Sequence, residues 1–322
     1  MLLQERIGEM VDGDHLVSRR AFTVLELFIS LAVIGILVSL ILPAVLQARA
    51  ASRRLQCTNN LKQIALATQS YVEQWGAVPQ LTPLFKLLPY VERTELQALL
   101  ALPQFPAGAN ADVPAYYCPA DALVGAYVNQ QAFIASYPMN SGTDFVSSNG
   151  LQVQPSRRFP EISWKMVTDG LSQTALFSEL LTLGAEEDPQ QGGTWILNTG
   201  TAEPIRAVWW TSRQNWQRGE EEEFAAHCLD AANRISLVPP LVWRVSFSRV
   251  SSDGYQHLTP PNSVGCQAVS GAYTAVAASS YHTGGANLTL CDGSVRFVSN
   301  SIDATVWRAV GTRAGGETEE FH

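Results

Sequence analysis

An uninterrupted apolar run near the amino terminus constrains the fold of this chain more than any other feature. From Leu27 to Leu46, twenty residues follow one another without a charged side chain. A helix of about 20 apolar residues can cross the hydrocarbon core of a bilayer, which is about 30 Å thick. Glu26 directly precedes the run and places one carboxylate at its amino end. The sequence therefore predicts a transmembrane helix at about 24–46.

The residues before the run indicate whether it stays on the mature protein. A secretory signal peptide has an apolar core of about 7–15 residues and a small-residue cleavage site after it. Here the run is longer, and the small residue Ala21 precedes it. A cut between Ala21 and Phe22 would leave the apolar helix on the mature chain. The alternative is an ordinary signal anchor in which Glu26 is an acid at the membrane interface.

The segment Arg19–Leu37 resembles the type III signal of type IV prepilins and pseudopilins. That resemblance implies that a prepilin peptidase removes a leader, residues 1–21, and methylates the new amino terminus at Phe22. It also implies that Glu26 pairs with the terminal amine of a sister pilin-like subunit. An intramembrane carboxylate is costly and normally has a partner, which agrees with this role. The family usually has Gly where this chain has Ala21.

Arginines flank both ends of the predicted span, so their number alone does not orient it. They are Arg6, Arg19 and Arg20 on one side and Arg49, Arg53 and Arg54 on the other. The prepilin-like family keeps its leader in the cytoplasm. The resemblance therefore implies a single-pass protein in the lipid of the inner (cytoplasmic) membrane, with residues 76–322 forming a periplasmic or extracellular domain.

The helix is expected to continue past the membrane. Between Ala44 and Trp75 there is neither Gly nor Pro, and apolar residues recur from Cys57 to Trp75 at spacings of three and four. Such spacing is typical of one buried helix face, and Gly76 is a stop signal. The sequence predicts a long helix over 22–75, transmembrane in its first half and amphipathic in its second.

Beyond this helix, short strand-like runs alternate with turn signals, which favours an antiparallel sheet over β-α-β units. The runs are Ala115–Cys118, Gln131–Tyr137, Thr174–Ser178, Thr194–Leu197, Ile205–Trp210 and Leu241–Val250. The predicted fold is α+β and pilin- or pseudopilin-like, with the long helix packed on an antiparallel sheet.

The five cysteines bear on the compartment; they are Cys57, Cys118, Cys228, Cys266 and Cys291. None belongs to a C-x-x-C pair, which argues against a zinc ribbon or a thioredoxin motif. Widely spaced cysteines in an extracytoplasmic domain favour disulfides. The candidate pairs are Cys57–Cys118 and Cys228–Cys266, with Cys291 as a free thiol. In a cytosolic domain, all five would instead be buried thiols.

A β-hairpin is the clearest signal near the carboxyl end. Asp292-Gly293 separates two apolar runs, and Gly tolerates the positive φ that a tight turn requires. We expect Asp292 to hold this turn through its own backbone. The hairpin, in which Leu288 and Leu290 share one face, is expected to join the sheet packed on the Cys57–Trp75 face of the helix.

His282, nine further residues and Asp292-Gly293 together match the prepilin-type processing-associated H-x9-DG domain. Further stretches resemble the bacterial domain of unknown function 1559 family: Gln56–Ala67, Leu88–Leu96, Tyr116–Asp121, Val167–Glu179, Thr259–Cys266 and Val306–Glu317. This resemblance implies a pilin-like, membrane-anchored, exported protein and no particular activity. We expect His282 and Asp292 to be separate structural supports; the alternative is that they converge in one site.

Two classes of function remain open. The net charge of −8 argues against a nucleic-acid surface. No catalytic-triad spacing, P-loop, H-E-x-x-H or G-x-S-x-G pattern occurs, so we expect neither an enzyme nor a bound cofactor or metal. The first class is a structural or assembly subunit of a pilus or of a type II secretion-like system. The second is a membrane-tethered extracytoplasmic binding module or enzyme that uses the signal only for export.

The signal generates a first prediction about the mature amino terminus. Intact-mass analysis of the membrane-extracted protein should show loss of residues 1–21 and gain of one methyl group on Phe22. A mature chain that still begins at Met1 or Met10 would contradict cleavage between Ala21 and Phe22.

Overall fold

The computed structural model describes residues 23–80, 82–100, 112–122, 124, 135–145, 148–153, 161–181, 185–187, 195–197, 208–237, 254–268, 273–317 and 321. The predicted leader, residues 1–21, lies outside this part of the chain, and so does Phe22. The chain divides into two compact units, Met1–Arg49 and Ala50–His322.

The long helix forms as predicted and begins two residues later than expected. Helix α1 spans Val24–Trp75 and carries Pro43 in its interior. In its first half, the large apolar side chains from Val24 to Leu46 are 40–70 % exposed within the protein. By length and composition, α1 is the one helix of the described residues that could span a membrane.

The second half of α1 is amphipathic and buries the predicted face. Its buried residues are Cys57, Asn60, Leu61, Ile64, Ala65, Ala67, Thr68 and Val72. Trp75, expected on this face, is instead 63 % exposed; its ring stacks on Tyr71 and its indole N–H donates to the Tyr90 hydroxyl. The helix ends where Gly76 takes a positive φ of 76° and donates its N–H to the Val72 carbonyl.

Four shorter α-helices and nine strands follow in the described residues. The helices are α2 (Pro83–Lys86), α3 (Thr94–Leu100), α4 (Glu221–Leu229) and α5 (Ala304–Gly311). The strands are β1 (Ala175–Ser178), β2 (Ala185–Glu187), β3 (Trp195–Leu197), β4 (Val208–Thr211), β5 (Arg234–Leu237), β6 (Gly265–Gln267), β7 (Thr274–Ala275), β8 (Gly285–Leu290) and β9 (Val295–Ser299). The fold is α+β, as predicted.

The strands form three sheets, which are antiparallel except for one pair. The orders are β1-β8-β9, β2-β3 and β5-β4-β6-β7. Strand β4 runs parallel to β6, which the sequence did not predict. Of the other strand predictions, Ala115–Cys118 is wrong because Pro114–Tyr116 is a 3-10 helix. The run Leu241–Val250 lies outside the described residues.

The carboxyl-terminal hairpin forms at the predicted turn, and its sheet packs on α1 as expected. Strands β8 and β9 pair antiparallel, and Thr289 lies opposite Val295. Val295 packs with the core cluster that contains the buried face of α1, on the Thr289 side of the hairpin. Leu288 and Leu290 do not face α1; they pack with Trp307 and the rest of a second cluster around α5. The three-stranded sheet is therefore covered by α1 on one face and by α5 on the other.

Both candidate disulfides are present in the structure, in the pairing that the sequence favoured. Cys57 of α1 is bonded to Cys118, and Cys228 of α4 is bonded to Cys266 of β6. Cys291 is a buried free thiol. The two bonds close loops of 61 and 38 residues. In the chain-entropy account each loop closure contributes about 4 kcal/mol of stability.

A buried histidine, His257, connects α5 to the rest of the domain through a ring contact and hydrogen bonds. The His257 ring lies 3.9 Å from the Trp307 ring, its Nδ1 lies 2.8 Å from the Trp307 carbonyl and its Nε2 lies 2.9 Å from the Tyr255 hydroxyl. Burial lowers the pKa of His257 to about 3, although the Trp307 carbonyl acts in the opposite direction.

This burial predicts acid sensitivity. An unfolded chain, in which a histidine has a pKa of about 6.5, takes up a proton that the folded protein excludes at His257. His257 should therefore lower the free energy of unfolding as the pH falls, with a slope that approaches about 1.4 kcal/mol per pH unit well below pH 6.5 and ends as the pH approaches 3. Denaturant unfolding of the full chain in detergent at pH 7, 6 and 5 measures this slope. In His257→Gln, unfolding should take up one proton fewer, so the free energy of unfolding should fall less steeply with pH. Equal slopes in the variant and the wild type would contradict the low pKa of His257.

Candidate functional site

The proposed cleavage residues, Ala21 and Phe22, lie outside the described residues, whereas Glu26 is in the first turn of α1. Glu26 Oε2 accepts hydrogen bonds of 2.9 Å from both the backbone N–H and the hydroxyl of Thr23. In return, the Glu26 N–H donates to the Thr23 hydroxyl at 3.2 Å. This reciprocal pair is a capping box, which satisfies backbone donors at the start of a helix. Glu26 therefore has a local structural role besides any role in assembly.

Asp292 stabilises the β8–β9 turn. Its Oδ1 accepts hydrogen bonds from the backbone N–H and the hydroxyl of Ser294, at 2.8 and 2.7 Å. Gly293 follows with a φ of 85°, and a Cβ there would lie 2.8 Å from the amide nitrogen of Gln69 on α1. The Asp-Gly pair thus provides both the turn and the close approach to α1. These contacts are separate from those of His282.

Glu179 is a buried acid at the end of β1. Its side chain is 2 % exposed. Oε2 accepts a 2.9 Å hydrogen bond from the backbone N–H of Asn287, and Oε1 accepts another of 2.9 Å from the Asn287 side-chain amide. A buried carboxylate requires such partners because it loses its hydration on folding. Strand β8 thereby fixes the orientation of the Glu179 carboxylate.

The histidine of the H-x9-DG motif contacts this acid rather than the aspartate of the motif. His282 is buried, and its Nε2 lies 3.2 Å from Glu179 Oε1. The same nitrogen lies 3.6 Å from Cys118 Sγ, which is itself 3.8 Å from Glu179 Oε1. The structure thus brings His282 to Glu179 and to a disulfide sulfur.

Four potential metal ligands converge at this point. The ligand atoms of Cys57, Cys118, Glu179 and His282 all lie within 4.8 Å of one another, and all four residues are buried. They come from α1, from the loop after a 3-10 helix, from the end of β1 and from the loop before β8. As a disulfide, Cys57 and Cys118 lack the thiolate character that metal ligation requires. In this state the group is a buried acid–imidazole pair against a disulfide. We call these four residues the Cys-Glu-His cluster.

A surface cleft leads to the cluster. It has a volume of about 240 Å³, and His282 forms part of its wall. The rest of the lining comes from α1 and two loops: Ala50, Ala51, Arg53, Arg54, Ala120, Tyr281 and Thr283. The Arg54 guanidinium lies 3.7 Å from the centre of the Phe297 ring, which holds this cation at the cleft. The cleft therefore places two arginines and His282 of the cluster along one lining.

Sequence reasoning named three of the four cluster residues but did not group them, and it missed Glu179 as a site residue. The missed signal is the position of Glu179. It follows the apolar run ALF and one serine at the end of a fully buried strand. A charged residue is rarely buried without a partner. That position alone predicts a buried partner for Glu179, although not its identity.

Comparisons with known proteins gave one match. A family model described as "Protein of unknown function (DUF1559)" matches residues 46–305. Searches of curated proteins and of solved structures gave no match. The matched range contains the whole Cys-Glu-His cluster and the Asp292-Gly293 turn, and it begins at the end of the apolar run.

The geometry of the turn predicts a modest stability effect. Asp292→Ala removes both hydrogen bonds to Ser294 and should lower the free energy of unfolding by about 1 kcal/mol, as is typical of a lost cap or turn. Asp292→Asn keeps a side-chain oxygen at the same place and is the matched control. Denaturant unfolding of the full chain in detergent measures both variants. A loss in Asp292→Ala that Asp292→Asn fully shares would contradict the role of the oxygen.

Proposed function

The chain belongs to the DUF1559 family of proteins of unknown function, and we propose that it is a pilin- or pseudopilin-like subunit. Its N-terminal helix is long and apolar enough to anchor an exported protein in a membrane. We assign it a structural or assembly role in a pilus or in a type II secretion-like system. The proposal gives it no catalytic reaction and no cofactor.

The surface of the first half of α1 supports this role. Large apolar side chains from Val24 to Leu46 lie on every side of the helix and are 40–70 % exposed in the described part of the chain. A helix that is apolar all round belongs in a membrane or among other helices. Lipid covers such a surface in a single subunit, and sister helices cover it in an assembly.

Glu26 is the observation that carries the proposal. The capping of Thr23 requires only a side-chain oxygen, which glutamine also supplies, so it does not account for a charge beside twenty uncharged residues. A charged side chain in a transmembrane segment is costly and is usually retained for a function. Within the described residues, the hydrogen-bond partners of Glu26 belong to Thr23 alone, so no cation of the same chain neutralises it there. The methylated terminal amine of a sister subunit supplies that cation in our proposal.

The disulfides support the proposed location. Two disulfides indicate that the unit Ala50–His322 matures in an oxidising environment outside the cytoplasm. We place the apolar helix in the inner membrane, with the leader in the cytoplasm until the prepilin peptidase removes it. The globular domain is then periplasmic or extracellular. This orientation follows the resemblance of the signal to those of prepilins.

The second candidate function is a tethered binding module or enzyme. The observation that favours it is the cleft lined by His282, whose Nε2 lies 3.2 Å from the buried Glu179 carboxylate. Under this alternative the cleft takes a ligand and the helix serves only as an anchor. The charge of Glu26 is then dispensable, which separates the two candidates experimentally.

A pair of variants tests the assembly role of Glu26. Glu26→Gln keeps the oxygen that caps Thr23 but removes the charge, since glutamine also serves in a capping box. We expect this variant to reduce co-purification with sister pilin-type subunits tenfold or more, because losing one partner of a buried ion pair costs several kcal/mol. Cross-linking followed by detergent extraction from membranes measures the association. Thermal unfolding of the globular domain should be unchanged, since the contacts of Glu26 are local.

Thr23→Ala is the matched control. It removes the hydroxyl from the capping box at a cost of about 1 kcal/mol but leaves the carboxylate charge in place. Association should therefore survive in Thr23→Ala. If Thr23→Ala is defective while Glu26→Gln associates normally, Glu26 acts as a cap and the tethered-module alternative gains.

A further inference from the structure

We propose that the Cys-Glu-His cluster is a redox-gated Zn²⁺ site: reduction of the Cys57–Cys118 disulfide creates a tetrahedral site of two thiolates, the Glu179 carboxylate and the His282 imidazole. This inference does not depend on the pilin-like role. It rests on the positions of the ligand atoms, on the groups that orient them and on the cleft that reaches them.

The distances among three of the ligand atoms are close to those of a tetrahedral zinc site. With Zn–S bonds of about 2.3 Å and Zn–N and Zn–O bonds of about 2.0–2.1 Å, unlike ligands lie roughly 3.3–3.6 Å apart. Here Cys118 Sγ lies 3.6 Å from His282 Nε2 and 3.8 Å from Glu179 Oε1. His282 Nε2 lies 3.2 Å from Glu179 Oε1. Cys57 Sγ lies within 4.8 Å of the other three ligand atoms, and the two bonded sulfur atoms must separate to about 3.8 Å.

The donor set selects zinc. Two thiolates, one imidazole and one carboxylate in a tetrahedron suit Zn²⁺, whereas Ca²⁺ and Mg²⁺ require six or more oxygen ligands. The three anionic ligands exceed the charge of Zn²⁺ by one. Arg53 and Arg54 line the same cleft as His282, so two cationic side chains lie near the cluster to offset this excess.

A second layer of contacts already orients the carboxylate. The Asn287 backbone N–H binds Glu179 Oε2, and the Asn287 side-chain amide binds Oε1. Hydrogen-bonded carboxylates of this kind are typical of metal sites, where the outer partner fixes the direction of the ligand. The backbone N–H of His282 donates to the Ser280 hydroxyl at 3.1 Å, which holds the loop that carries the imidazole. The Glu179 carboxylate is therefore oriented, and the loop that carries His282 is held, before any metal arrives.

The second disulfide lacks this environment. Sγ of Cys228 lies 3.7 Å from the carbonyl of Val264, and Sγ of Cys266 lies 3.7 Å from the carbonyl of Cys228. Among the residues that the structure describes, potential metal ligands gather around the Cys57–Cys118 bond and not around this one. The Cys228–Cys266 pair is therefore an internal control for the chemistry of a buried disulfide.

The chemical steps balance as follows. A phosphine reductant attacks the Cys57–Cys118 bond; the sulfur atoms leave as two thiols, and the phosphine takes an oxygen from water to become its oxide. Zn²⁺ then enters, and the two thiols release two protons as they become thiolate ligands. Loss of electrons from the thiolates to an added disulfide, such as oxidised glutathione, would re-form the bond and release the ion.

The test is metal uptake by the full chain in detergent. The protein is reduced with tris(2-carboxyethyl)phosphine and titrated with Co²⁺, whose visible spectrum reports tetrahedral thiolate coordination; Zn²⁺ then displaces Co²⁺. We expect one Co²⁺ per reduced chain and none in the oxidised chain. Glu179→Gln and His282→Asn should each weaken binding at least tenfold. No uptake by the reduced chain, or equal uptake by the oxidised chain, would overturn the proposal.

Two controls keep the result interpretable. The double variant Cys228→Ser, Cys266→Ser removes the other disulfide and should bind Co²⁺ as the wild type does, whereas Cys57→Ser, Cys118→Ser should not bind. Tryptophan fluorescence follows folding throughout. If the reduced chain loses structure without metal, Zn²⁺ should restore it, since metal binding is linked to folding. Failure of Zn²⁺ to restore it, or uptake that survives in Cys57→Ser, Cys118→Ser, would exclude the site.

Discussion

The buried face on the second half of α1 is the constraint on which the globular domain depends. It supplies the leucine and isoleucine side chains against which the loops and the three-stranded sheet pack. One turn of this helix also carries a covalent and a polar connection to the same neighbouring loop. Cys57 is bonded to Cys118, and the Asn60 amide donates to the carbonyls of Pro114 and Tyr117 at 3.1 and 2.8 Å. Because both connections fix one register, the loop places Cys118 beside the sheet end that carries Glu179.

Local patterns predicted the parts of this structure that depend on local physics. A continuous 3,4 spacing indicated the buried face of α1, and Asp292-Gly293 indicated the hairpin turn, because both signals act within a few residues. Predictions failed where packing at long range decides the outcome. Trp75 continues the apolar spacing, yet it stacks on Tyr71 at the surface. Leu288 and Leu290 share a face as predicted, but alternation along a strand does not say which of two helices covers that face.

The Cys-Glu-His cluster likewise could not be predicted from local patterns, because long-range packing brings its residues together. The H-x9-DG pattern joins His282 and Asp292 in the sequence, but strand β8 lies between them and directs them to different partners. The partner of His282 is Glu179, more than a hundred residues earlier, and strand pairing brings them together. The cysteine pairing could be favoured from sequence because Cys118 follows a run that could cover the apolar helix face of Cys57, and because Cys228 and Cys266 flank one segment. The position of that bond against an acid and an imidazole required the sheet order β1-β8-β9.

Capping and assembly do not compete for Glu26, and this removes the main physical objection to a dual role. Both hydrogen bonds from Thr23 end on Oε2, and Oε1 accepts none within the described residues. A carboxylate offers about four acceptor positions on its two oxygens. The bond to Thr23 and the positive end of the helix dipole therefore stabilise the charge in a single subunit. An ammonium group of a sister subunit can then bind Oε1 without breaking the cap. Because the apolar surroundings strengthen such a pair and penalise its absence, one residue can both begin the helix and select its partner.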